Sequence, residues 1–129
     1  MKKLVPKNAV LIPENAKRVF EGKIFDVAVD IRIGSPTYGK WFGLELSSEN
    51  KMQLYIPKGF AHGFSVLSPQ AVVFYKCDNF YTPDSERGIN IFDIQLNIDW
   101  KIERQLALVS EKDKNSPEFL NAENNFYYN

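Results

Sequence analysis

The chain has 129 residues, 44% apolar and 14% aromatic, enough for one packed domain within the usual span of about 100–200 residues. Sixteen basic residues balance sixteen acidic ones, so no overall field draws the protein to nucleic acid or to an anionic membrane. No apolar run approaches a membrane span, Met1-Lys2-Lys3 leads into no apolar signal segment, and the lone Cys77 excludes an internal disulfide, which together fit a reducing, cytoplasmic setting.

Val10-Leu11-Ile12 before Pro13 reads as a short first strand. Ile24 to Ile33 gives the clearest strand signal: Phe25, Val27, Val29, Ile31 and Ile33 fall on one face, and Asp26, Ala28, Asp30 and Arg32 on the other. Alternation of that length does not suit a helix. Gly34-Ser35-Pro36-Thr37-Tyr38-Gly39 is then a turn. Strands are expected at Trp41 to Leu46, Met52 to Ile56 and Phe60 to Leu67, the last entered through a Pro57-Lys58-Gly59 turn. In Ala71 to Cys77, Val73, Tyr75 and Cys77 share a face opposite Val72, Phe74 and Lys76.

A polar loop follows from Asp78 to Arg87, and extended pieces at Ile89 to Phe92 and Ile94 to Ile98 are expected to finish the sheet. Only the C-terminal tail offers a helix, of one or two turns. There Ser116 can cap, Pro117 suits the first helical position, and Glu118 complements the dipole. Many short strands separated by Gly and Pro turns imply an all-β sandwich or small barrel.

His62 is the only histidine. A mononuclear site built from two or three imidazoles is therefore excluded, as is a base that needs a second histidine as partner. His62 lies in Ile56-Pro57-Lys58-Gly59-Phe60-Ala61-His62-Gly63-Phe64. With Gly22 to Arg32, the Gly34 to Gly39 turn, Tyr75-Lys76, Glu86-Arg87-Gly88 and Ile98-Asp99-Trp100, this segment resembles the dTDP-4-dehydrorhamnose 3,5-epimerase family. The likeness covers about residues 15–114 of a single domain, 1–129.

The resemblance implies a jelly-roll (cupin-type) fold and a nucleotide-sugar substrate. It further implies a reaction without metal or other cofactor. A sheet edge left uncovered by a shortened N-terminal region invites pairing with another chain, so a homodimer built through the sheet is expected. In a 4-keto sugar the C3 and C5 protons lie alpha to the carbonyl. A base removes each, donors stabilise the enolate oxygen, and an acid returns the proton to the opposite face. By resemblance Tyr75 is the acid, and Lys112-Asp113 matches a pair whose aspartate orients the basic histidine. His62 lines the pocket near the keto group, Asp26 is a pocket carboxylate, Tyr81 packs on the nucleotide, and Glu86 contacts substrate. The plain alternatives are a strand tyrosine, a histidine satisfied by backbone in a tight turn, a solvated aspartate and surface ion pairs.

One departure stands out. The family places its basic histidine in an Arg-Gly-Leu-His-Tyr-Gln-like motif at the end of an N-terminal region of some fifty residues. Counting back from Gly22, that position falls near Val5, its arginine near Lys2, and the family's pocket lysine on Asn15. The expectation is thus an isomerase of the dTDP-4-keto-6-deoxyhexose class that needs a substitute base. The alternative is an inactive relative that binds a sugar nucleotide or partners a full-length enzyme. A single-cupin 3,4-ketoisomerase, which uses a histidine pair on one strand, is the weakest reading.

Overall fold

A computed structural model describes residues 16–75 and 87–129. The expected strand at Val10-Leu11-Ile12, the last two residues of the expected strand Ala71 to Cys77, and all of the expected loop from Asp78 to Arg87 except Arg87 itself lie outside the described residues. Six strands are described: β1 (Ala16–Glu21), β2 (Lys23–Asp30), β3 (Trp41–Ser47), β4 (Gln53–Tyr55), β5 (Phe60–Val66) and β6 (Val72–Tyr75). They form two antiparallel three-stranded sheets, ordered β4-β1-β6 and β3-β2-β5. The sheets face each other as the jelly-roll sandwich that the resemblance implies. β1 and β4 come close to β3, so the sandwich closes along that side, and among the described residues β5 and β6 are edge strands of the two sheets. No helix among the described residues is long and apolar enough to cross a membrane.

β2 is central in its sheet, and both of its faces are buried. Ile24 and Ala28 point between the sheets into a core with Val19, Leu46 and Leu54. Each such side chain contributes about 1.5–3 kcal/mol when removed from water. Phe25 and Val27 point the other way and are covered by Trp100. The Asp26–Ala28–Asp30 face, which alternation marks as the polar one, is therefore the interior.

The pieces at Ile89 to Phe92 and Ile94 to Ile98 are not strands. Asp93, buried at 5% exposure, gathers the chain instead. Its carboxylate accepts from the amides of Leu96 at 2.8 Å and Phe119 at 2.7 Å. Asn97 (φ 47°) and Lys101 (φ 61°) break any extended run. Ile89 and Leu96 from these pieces, with Trp100 beyond them, pack onto the sheets as a folded cover, while Ile94 points to solvent.

The C-terminal helix also starts earlier than expected. α1 spans Glu111–Lys114, and Ser110 Oγ caps it by accepting from the Asp113 amide at 3.2 Å. The Ser116-Pro117-Glu118 signal leads only into a 3-10 turn at Phe119–Asn121. The last residues run beside the end of β2, where Ile33 N–H donates to the Phe126 carbonyl (2.8 Å) and Tyr128 N–H to the Ile33 carbonyl (2.9 Å).

Candidate active site

The antiparallel register of β2 and β5 sets Ala28 opposite His62 and Asp26 opposite Phe64. All four side chains share the inner face, because the side-chain period of a strand is two. Asp26 and His62 are diagonal neighbours across this ladder, and His62 Nε2 hydrogen-bonds to Asp26 Oδ1. Asp26 is 0% exposed and His62 is 7% exposed. A carboxylate and an imidazole have thus been drawn out of water together, which is tolerable only when they engage each other. The Phe64 ring lies over the imidazole, with centroids 6.1 Å apart and planes 29° apart.

The entry to β5 explains why His62 reaches this place. Gly59 turns the chain at φ +89°, a conformation that a residue with a Cβ adopts only under strain. The next residue, Phe60, is buried beneath the Arg32 guanidinium, 4.5 Å from its ring centroid. Behind the imidazole, Gly63 faces outward and Trp100 occupies the space a side chain would take. A Cβ there would stand 2.9 Å from the indole. Trp100 is itself fixed: its Nε1–H donates to the Ile91 carbonyl at 2.7 Å, and its own carbonyl accepts from Ser65 Oγ at 2.5 Å. The folded cover therefore pins the back of the strand whose front carries His62.

Tyr75 comes from the other sheet. On β6 it stands opposite Lys17, as Val73 stands opposite the fully buried Val19. Tyr75 therefore shares the inward face of its strand with Val73, which packs against the core. It is half exposed, at 51%, as befits an inward residue on an edge strand. By the parity of their ladders, Tyr75 lies on the inner face of one sheet and the Asp26–His62 pair on the inner face of the other.

The remaining expected site residues are more scattered. Lys112 and Asp113 lie on α1, outside the two sheets, where the Asp113 amide bonds to the cap. Tyr81 and Glu86 lie outside the described residues. The carboxylate hydrogen-bonded to the chain's one histidine is Asp26. Phe64 was not singled out as a site residue by its sequence. Its signal was available, since it lies two residues beyond His62 on a strand and so shares its face. Among the described residues, no group of three or more His, Cys, Asp or Glu side chains is arranged to hold a metal ion.

An imidazole held by a buried carboxylate on the inner face of one sheet, and a phenol on the inner face of the other, are side chains of the types that take up and return protons. The sequence matches the family described as dTDP-4-dehydrorhamnose 3,5-epimerase over residues 12–121. It is 54% identical over 106 residues to the dTDP-4-dehydrorhamnose 3,5-epimerase of Shigella flexneri, covering 82% of this chain and 58% of that protein. Among solved structures, dTDP-4-dehydrorhamnose 3,5-epimerase from Elizabethkingia anophelis superposes with a TM-score of 0.79 at 50% identity, covering 92% of this chain and 63% of the other. The Legionella pneumophila dTDP-6-deoxy-D-glucose-3,5-epimerase, solved with dTDP-4-keto-L-rhamnose, gives 0.78 at 51% identity over 83% of this chain and 56% of the other. The chain spans a little over half the length of the curated relatives it matches. On these matches, the chain belongs to the dTDP-4-dehydrorhamnose 3,5-epimerase family.

Proposed function

We propose that the chain is an isomerase acting on a dTDP-linked 4-keto-6-deoxy sugar, exchanging the protons at C3 and C5 in deoxysugar (dTDP-rhamnose) biosynthesis. The buried Asp26–His62 pair carries this reading. Asp26 accepts from Nε2–H, which holds the imidazole in one orientation and stabilises the imidazolium formed when the ring takes a proton. The proton leaves a carbon alpha to the ketone, and its electron pair moves onto the C4 oxygen. Reprotonation from the opposite face by the Tyr75 hydroxyl restores the ketone with inverted configuration. The step is redox-neutral and consumes no co-reactant. The Legionella relative's complex with dTDP-4-keto-L-rhamnose supports the substrate class.

His62 accepts the proton in this scheme because it is the chain's only imidazole. By resemblance Lys112, Tyr81 and Glu86 contact the substrate, and Asp113 belongs to the catalytic set as the aspartate that orients the base. The same reading makes the protein a cytoplasmic homodimer. The exposed apolar outer face of β1 and β6, where Phe20 and Phe74 pack edge to face at 5.8 Å, supports the dimer.

A second reading is favoured by one observation, the valine at position 5 where the family places its basic histidine. Under it the protein binds the sugar nucleotide without turnover. Adding dTDP and the keto sugar separates the two. If the chain is an isomerase, dTDP raises the melting temperature and proton NMR shows the epimerised sugar. Stabilisation without product selects the silent binder, and unchanged melting with no product rejects both.

A further inference from the structure

Several apolar residues between the sheets are sealed: Ile24 and Leu46 are 0% exposed, Val19 is 1% and Leu54 is 2%. Two residues on the inner face of β5 are not. Phe64, opposite Asp26, is 43% exposed, and Val66, opposite Ile24, is 44% exposed. Both point to the same inner face as His62, and both lie on β5, an edge strand of its sheet among the described residues. An apolar shelf therefore starts at the imidazole and runs outward along β5. Around it the inner face of this sheet offers a substituent little to bond with. The polar side chains there are Asp26 and His62, which hold each other, and Asp30, which is bound by Arg32, Ser35 and Thr37.

We propose that Phe64, with Val66 beyond it, is the element that selects a methyl group at C6 of the sugar. The inference rests on the reading given under Proposed function. If proton transfer occurs at His62, the reacting carbons stand at the imidazole, and C6 is one bond from C5. The ring stacked on that imidazole, with its centroid 6.1 Å away, is then the surface nearest C6. A methyl group loses water against it at a gain. A hydroxymethyl group would bring a hydroxyl against a phenyl ring and a valine, where its lost hydrogen bonds to water are not replaced. A hydrophobic pocket rejects one added hydroxyl only moderately, so the discrimination is about tenfold to a hundredfold.

The test uses dTDP, dTDP-6-deoxyglucose and dTDP-glucose, the two sugars differing only by an oxygen on C6, with affinities read by calorimetry so that turnover is not required. The wild-type protein is expected to bind the 6-deoxy sugar at least tenfold more tightly than dTDP-glucose. Phe64→Gln is expected to cut that ratio below threefold with little change in dTDP affinity, and Phe64→Leu to keep most of it. Equal wild-type affinities for the two sugars, or an undiminished preference in Phe64→Gln, would overturn the inference and leave the isomerase reading standing. Failure to bind dTDP itself would overturn both.

Discussion

Two aspartates on the same face of β2, four residues apart, are both buried and are used in opposite ways. Asp30, 2% exposed, sits at the strand's end inside a shell of donors. Arg32 Nη2 donates to it at 2.8 Å, Arg32 Nε at 2.9 Å and the Arg32 amide at 3.0 Å. Ser35 Oγ donates at 2.6 Å, and Thr37 Oγ1 adds a further bond. Burial pushes its carboxyl up, but the hydrogen bonds from Arg32, Ser35 and Thr37 outweigh that and hold it well below the usual carboxylate range. A charge so firmly held is an anchor, tying the end of β2 to the turn that follows. Asp26 is aimed at an imidazole, a side chain that can take up and release a proton. Burial alone does not distinguish the two carboxylates; the nature of the partner does.

The largest effect expected from breaking this comparison is on chemistry. Asp26→Asn and His62→Gln should each lower the rate of C–H exchange by about 10²–10⁴, the contribution of a positioned acid–base group, while the protein still binds dTDP. Tyr75→Phe should come next. It removes the returning proton donor, so release of the substrate's C–H label persists while epimerised product falls by about 10² or more, a split seen by comparing label loss with product by NMR.

Asp30→Asn should do the reverse of Asp26→Asn. It leaves the buried end of Arg32 without its carboxylate and should cost about 2–3 kcal/mol in denaturant unfolding, with exchange rates preserved. The pH dependence follows from the depressed folded value. The contribution of Asp30 is complete above its ordinary value of 3.8 and is lost as the pH falls toward the folded one. The stability gap between wild type and Asp30→Asn should therefore be constant above about pH 5 and narrow in stronger acid. The smallest effect is structural. Gly63→Ala presses a methyl group on the Trp100 indole and should cost about 1–3 kcal/mol.

Much of this arrangement is legible in the residues. The alternation of β2 and the Pro57-Lys58-Gly59 turn place Asp26 and His62 on strands, and parity along β6 places Tyr75 with Val73. What parity leaves open is which face is inside. For β2 both are, because a central strand with a folded cover behind it has no solvent side, so its polar face reads wrongly as exposed. β1 is hard to see at all. Ala16-Lys17-Arg18-Val19-Phe20-Glu21 buries Val19 inward and leaves Phe20 56% exposed, so apolar content does not alternate. The segment after Gly88 misleads in the other direction. Its isoleucines are spaced like strand residues, but burial comes from docking around the Asp93 carboxylate, a tertiary effect that local periodicity does not carry. The helix start was within reach, since Ser110 followed by Asp113 is an N-cap pattern as good as Ser116-Pro117.

The most direct test is solvent deuterium incorporation at C3 and C5 of dTDP-4-keto-6-deoxyglucose, followed by NMR for wild type, Asp26→Asn and Asp30→Asn in parallel. Wild type and Asp30→Asn are expected to incorporate deuterium at similar rates, with Asp26→Asn reduced to near the uncatalysed background. Full exchange in Asp26→Asn, or none above background in wild type, would contradict the claim that the buried Asp26–His62 pair moves the proton.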